Sequence, residues 1–192
     1  DNLVAANFMG HDSHGIFNVP RYIEAAKDGR AKIGQHVEVV SEKGAFLLLD
    51  GNMGFGQVIG QEAMERGIAV AKANGVAIVG LRHTHHLGRI GAWAELCIAQ
   101  GLISIHYVNV TDHEPIVAPF GGSDARFTTD PYCTAFPATD GPPIVLDMAT
   151  AKLAMGKVRV AYNKGESVPK GSLIDSQGRP TTDPGVMVPD IT

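Results

Sequence analysis

The sequence predicts an α/β (mixed α+β) fold, a layered domain behind a small helical N-terminal segment. Three observations carry this. From residue 45 onward, strand-like runs ("AFLLLDG", "VAIVGL", "LISIHYVNV", "PIVLDMA") alternate with helical stretches, the pattern of a sheet covered by helices. The helical stretches close on glycine at Gly75 and Gly101, which takes the left-handed backbone that ends a helix without strain. Before residue 45 the pattern is helical, broken by the polar elbow "GHDSHG".

Taken in order, residues 1–9 read as the end of a helix. "PRYIEAAKD" is a helix with Pro20 in its first turn and Gly29 as its cap. "AFLLLDG" is a buried strand. "QVIGQEAMERGIAVAKANG" is a helix with Met64, Ile68 and Ala71 on one face, ending at Asn74-Gly75. After the strand "VAIVGL", residues 89–100 form a helix with Ile90, Trp93 and Cys97 in step. "LISIHYVNV" is a third strand, and "PIVLDMA" a later one that leads into a helix through "TAKLAMGKV". The last 30 residues hold four prolines and four glycines, which predicts an irregular arm. The chain opens inside an apolar helix without an initiator methionine and closes after a polar stretch, so it reads as part of a longer protein.

Composition narrows the function. The 192 residues carry 16 basic and 20 acidic side chains, a net charge of -4, with no Lys/Arg block. That argues against a nucleic-acid partner. No run reaches the roughly 18 apolar residues of a membrane span, and no signal peptide precedes the first element. Cys97 and Cys133 form no CxxC and are too few for a disulfide framework, which favours a reducing compartment and a cytoplasmic location.

Four motifs hold the candidate chemistry. "GNMGFGQVIG" comes after a strand and opens a helix, as a dinucleotide fingerprint does. However, Gly54-x-Gly56-x-x-x-Gly60 is one residue too long, and Arg82 rather than an acidic residue ends the next strand. It reads as a glycine-rich strand-to-helix turn. "HDSHG" at residues 11–15 is either a proton-transfer site or a hydrogen-bonded turn. Adjacent side chains diverge as a rule, which counts against Ser13 and His14 as a nucleophile pair. "HTHHLGRIG" leaves three readings open. One is a metal nest completed by His11, His14, His106 or His113, although no spacing demands it. The second is an anion site at Arg89 and the start of the next helix. The third is a plain helix cap. In "VLDMAT", an aspartate ends a strand at the rim where ligands sit in layered domains, or simply caps the next turn.

Six stretches in register, "HDSHG", "HHLGRIG", "PIVAPFGG", "TTDP", "LDMATAKLAMGKV" and "GRPTTDP", resemble the malate/L-lactate dehydrogenase family, from about Gly10 to Pro184. The resemblance implies a non-Rossmann cofactor domain and an NAD- or NADP-dependent oxidoreductase that interconverts 2-oxo acids and 2-hydroxycarboxylates, working as a homodimer. It assigns residues 1–40 as a helical substrate and catalytic segment, 41–162 as the NAD(P)-binding α/β domain, and 163–192 as the arm. His14 falls on the family's catalytic histidine with Ser13 beside it, and is the first choice of proton donor. His86 falls on a second active-site histidine, to which some members give the proton-transfer role. Gly88, Arg89 and Ile90, with Leu146, Asp147, Met148 and Ala149, fall on cofactor-binding positions. Tyr22 matches a substrate-pocket tyrosine, and no metal is implied.

Two departures stand out. Many members carry arginine four residues after the catalytic histidine, where this chain has Asn18, so gripping a substrate carboxylate passes to Arg21 or Arg89. The family's "TNP" is "TDP" here, and Asp130 repels a carboxylate substrate unless it is paired or faces away. The same scaffold also serves ureidoglycolate dehydrogenases and cyclic-imine reductases. From other classes, a zinc-dependent hydrolase using the histidines as ligands and a non-catalytic binding protein stand as alternatives.

Overall fold

The structure, a computed structural model, describes residues 1–110 and 114–187. His113 lies outside the described residues. The chain divides into two compact units, Asp1–His106 with Cys133–Asp147, and Tyr107–Tyr132 with Met148–Thr192.

The first unit begins with helix α1 (Asn2–Phe8), two 3-10 turns (Asp12–His14 and Ile16–Asn18) and helix α2 (Val19–Lys27). Pro20 sits in the first turn of α2, and Gly29 lies just past its end at φ +82°. Strands β1 (Glu38–Lys43), β2 (Phe46–Gly54) and β3 (Ile78–Thr84) form one sheet in that order. β1 pairs antiparallel to β2, and β2 parallel to β3. A parallel pair needs a long crossover, which is helix α3 (Gly56–Asn74), closed by Gly75 at φ +81°. Helix α4 (Gly91–Ile98) comes next, and then a second sheet of β4 (Ser104–Tyr107), β5 (Tyr132–Phe136) and β6 (Ile144–Met148).

Where expectation and structure differ, the reason is local. The polar sequence "EVVSEK" forms β1 although every side chain in it is exposed. An edge strand without a buried face leaves no alternation to read. β5 shows the alternation, with Cys133 and Ala135 buried, but is only five residues long. On α3 the buried stripe is Ile59, Ala63, Gly67 and Val70, against Val37, Leu47 and Leu49. Met64, expected there, packs only at the edge of this core. Small residues form the stripe because α3 lies close on the sheet: a β-carbon on Gly67 would stand 2.9 Å from Val79. Leu49 and Ile59 are fully buried, and truncating such a side chain to alanine costs about 2–5 kcal/mol.

In the second unit, helix α5 (Met155–Lys164) starts five residues later than the expected entry at Thr150. The Thr150 N–H and hydroxyl both donate to the Thr129 carbonyl, and the hydroxyl also to that of Asp130. A threonine tied to backbone in this way is held out of a helix. Val158, Val168 and Leu173 form the core of this unit. Strands β7 (Leu173–Ile174) and β8 (Pro180–Thr181) make a short antiparallel ribbon beyond residue 163.

Candidate active site

The glycines of "GNMGFGQVIG" are used for close packing inside the protein. A β-carbon on Gly56 would overlap the carbonyl oxygen of His86, and one on Gly60 would stand 2.7 Å from the Trp93 indole. The His85 N–H donates to the Gly54 carbonyl (3.0 Å), and the Trp93 indole N–H donates to the Leu87 carbonyl (3.2 Å). The start of α3 and the turn of residues 85–90 are thereby fastened together. Gln57, the next residue after Gly56, is brought under His86 as a result.

A connected cluster stands there. The Tyr22 hydroxyl lies 2.6 Å from His86 Nδ1. Gln57 Nε2 donates to the Tyr22 hydroxyl (2.9 Å) and more weakly to the His86 carbonyl (3.4 Å). The His86 ring stacks on that of His14, with centroids 5.6 Å apart and 22° between planes. His85 is buried, edge-on to Tyr22 and Phe55. His83 points elsewhere, its Nδ1 donating to the Asp50 carboxylate (2.8 Å), at φ +49°. Of the three clustered histidines, one meets His14.

His14 arrives on the 3-10 turn Asp12–His14. Against expectation, the Ser13 hydroxyl does lie 3.0 Å from His14 Nδ1, because the tight turn brings the two neighbouring side chains to one side. Asn7 braces the turn through Asp12 (2.6 Å) and the Ile16 N–H (2.9 Å). Asn18, where the resemblance leads to an expected arginine, is only 6% exposed. Its side-chain amide donates to the carbonyls of Ser13 (2.9 Å) and Gly15 (3.3 Å). It therefore supports the turn from below. Burial lowers the pKa of His14 below the ordinary imidazole value, and the charges of His11, Arg21 and Arg89 lower it further against the pull of Asp147. His14 is thus neutral at pH 7.

The charged groups near α4 are matched among themselves. Arg89 is buried and holds Glu95 in a two-pronged ion pair (2.8 and 2.7 Å). The Gly91 N–H at the head of α4 donates to Asp147 (2.7 Å), so the anion expected at this helix start is supplied by the protein itself. The Glu95 hydrogen bonds raise the pKa of Arg89 further. Ile90 and Gly88 are buried, while Leu146 is exposed. For a dinucleotide, Gly88–Ile90 and Leu146–Asp147 offer a glycine turn and an exposed aliphatic side chain, which suit a flat ring. The one cation in these segments is already paired. Met148 and Ala149 continue the strand end in the second unit, Met148 exposed.

Asp130 lies in the second unit and is paired locally. Its carboxylate accepts from the Val110 N–H (3.2 Å) and from the Thr128 hydroxyl. Burial alone would raise its pKa, but these bonds outweigh burial and lower it. Burial pushes the Cys133 thiol up to about 12 and raises Cys97 as well, so neither is a ready nucleophile at neutral pH. Among the described residues, no three His, Cys, Asp or Glu side chains gather as a metal site. An apolar groove of about 410 Å³ lies on the outer side of Tyr22, lined by Val19, Ile23, Ala26, Ile33 and Phe55.

Gln57 is the residue that sequence reasoning missed. The signal was present, since it stands next to the glycine that permits the contact with His86. That glycine reads in the sequence as part of a strand-to-helix turn, which says nothing of the backbone it meets.

The model of the malate/L-lactate dehydrogenase family matches residues 1–190. The chain is 51% identical over 187 residues to hydroxycarboxylate dehydrogenase B of Escherichia coli (strain K12), covering 97% of this chain and 52% of that protein. Its fold is similar to the sulfolactate dehydrogenase of Methanocaldococcus jannaschii (TM-score 0.89, 39% identity, 98% of this chain and 54% of that one). It is equally similar to the Δ1-piperideine-2-carboxylate reductase of Pseudomonas syringae pvar. tomato (TM-score 0.89, 32% identity, 97% and 55%). The chain spans about half the length of the curated relatives it matches.

Proposed function

The chain belongs to the malate/L-lactate dehydrogenase family, and on that premise we propose that it carries the proton-handling part of an NAD(P)-dependent oxidoreductase acting on 2-oxo acids and 2-hydroxycarboxylates. The observation that carries this reading is the His86 ring, stacked on His14 and held from behind by Tyr22 and Gln57. A bound NAD or NADP supplies the hydride for C2 of the substrate. The chain's own task is to place the substrate and move a proton at the C2 oxygen. A histidine whose far nitrogen is gripped by a second, itself supported, group has the build of an acid–base residue. His86 is supported by two helices, so we give it the proton transfer. His14, kept neutral by its surroundings, lies beside it to orient the same oxygen, with Ser13 fixing its ring. Arg21 suits the substrate carboxylate, since its charge already reaches His14, whereas Arg89 is committed to Glu95.

The cofactor is assigned to Gly88–Ile90 and Leu146–Ala149, with residues 1–40 forming the substrate and catalytic segment, 41–162 the cofactor domain and 163–192 an arm. The same reading makes the protein a cytoplasmic homodimer whose partners are small 2-oxo or 2-hydroxy acids rather than nucleic acid or membrane. No helix among the described residues is long and apolar enough to cross a membrane.

A second reading, reduction of a cyclic imino acid, is favoured by the likeness to the piperideine-2-carboxylate reductase. The test is a steady-state screen of NADH and NADPH oxidation against 2-oxo acids, a cyclic imino acid and ureidoglycolate in the oxidative direction. Turnover with a 2-oxo acid is the expected result. Turnover with the imino acid alone selects the second reading, and no turnover with any of them overturns both.

A further inference from the structure

We infer that Gln57 is a positioning residue that sets the tautomer of His86, acting through the Tyr22 hydroxyl. This rests on the reading that His86 moves the substrate proton, and it comes from donor and acceptor capacity along a closed ring of contacts. The His86 carbonyl oxygen can only accept, and it faces the Gln57 side-chain amide at 3.4 Å. The nitrogen end of that amide therefore points toward His86, which settles its orientation. The same nitrogen lies 2.9 Å from the Tyr22 hydroxyl. Having only hydrogens to give, it makes the Tyr22 oxygen an acceptor there. The remaining contact, Tyr22 hydroxyl to His86 Nδ1, is 2.6 Å. With the Tyr22 oxygen accepting from Gln57, its own hydrogen is left to give, and the Nδ1 lone pair stands within reach of it. The phenol proton lies in this bond, Nδ1 accepts it, and the neutral ring carries its own proton on Nε2.

The consequence is a two-step relay. When hydride reaches C2 of a 2-oxo acid, the oxygen gains negative charge and takes the proton from Nε2. The Tyr22 proton passes to Nδ1 in the same event, leaving His86 neutral and Tyr22 as a phenolate that accepts the Gln57 N–H. The Nδ1 proton then returns to the phenolate while solvent protonates Nε2, which restores the starting tautomer. Atoms and charge balance: the oxygen gains one proton, the ring exchanges one for another, and the phenol loses one. No imidazolium is needed at any point. Gln57 does two things, directing the phenol hydrogen toward His86 and stabilising the phenolate that results.

The test reads the tautomer directly. Protein labelled with ¹⁵N in histidine, with the His86 signals assigned by loss in His86→Asn, is examined near pH 8.5, where an ordinary imidazole is neutral. The wild-type protein is expected to show a protonated Nε2 and a bare Nδ1. In Gln57→Glu the carboxylate can only accept, so the Tyr22 hydroxyl turns toward it, Nδ1 must donate, and the tautomer flips. The limiting rate should drop about 10²-fold, within the range for a lost acid–base function. Tyr22→Phe gives a second route: the solvent isotope effect, plotted against deuterium fraction, should curve for two protons in the wild type and be linear for one in the variant. A wild-type ring protonated on Nδ1, or a Gln57→Glu ring that keeps its proton on Nε2, overturns the inference even if the enzyme is active. A wild type with the expected tautomer and no turnover on any substrate overturns the dehydrogenase reading and leaves the tautomer assignment standing.

Discussion

His14 and His86 face each other across 5.6 Å, yet the turns that carry them are built in different ways. The "HDSHG" turn is held by its own neighbours: Asn7, Asp12, Ser13 and Asn18 all lie within 11 residues of one another. Its residues are mostly exposed. The turn at His86 is held from a distance. Tyr22 comes from α2, 64 residues earlier, and Gln57 from α3, 29 residues earlier, while Gly56 and Gly60 let backbone and indole close up against it. A locally braced ring can move with its turn. A ring braced by two helices keeps its position while substrate changes charge beside it. On the proposed function, the contrast favours orientation by His14 and proton transfer by His86.

The largest expected effect tests that assignment. His86→Ala should lower kcat by about 10²- to 10⁴-fold while NADH or NADPH still binds, because only the transition state loses a partner. His14→Ala should cost less, about 10-fold. Rates from single-turnover measurements and cofactor affinities from fluorescence titration check both. The reverse ranking breaks the comparison.

Next in size is the packing that supports each turn. Gly56→Ala drives a methyl into the His86 backbone carbonyl, and overpacking of this kind costs about 1–3 kcal/mol. Gly15→Ala meets the side chain of Asn7, and moving it gives up its bonds to Asp12 and the Ile16 N–H, a loss of about 1–2 kcal/mol that urea denaturation reads. Asn18→Ala removes the donor to the Ser13 and Gly15 carbonyls and is expected to cost about 1 kcal/mol, read as a lower Tm.

The smallest effect is a pH dependence. The pKa of His14 in the folded protein lies below 6.5, so between that lowered value and 6.5 the unfolded chain binds more protons than the folded one. Stability therefore rises with pH across this window and is lost as pH falls through it. His14→Gln should flatten the slope. Some slope remains, because burial lowers His106 in the same direction. An unchanged slope in His14→Gln would place the ring in water and remove the argument that it is neutral at pH 7.

What the sequence determined by itself was everything carried by near neighbours. Gly75 ends α3 because glycine enters the left-handed region at φ +81° without strain, and Pro20 marks the first turn of α2 because it gives up no needed N–H there. The order and spacing of "HDSHG" and "HHLGRIG" announced the family. Other features needed the folded chain. β1 has no buried face to betray it. The late start of α5 depends on carbonyls 20 and 21 residues before Thr150. Gln57 looked like part of a glycine-rich turn until α3 met the turn after β3. Charge pairing was equally hidden: Asp147 reaches the Gly91 N–H across 56 residues. Hydrogen bonds and van der Waals contacts act over a few ångströms of space, so sequence separation carries no trace of them. A motif can show which residues are available, and only the packed backbone decides which of them touch.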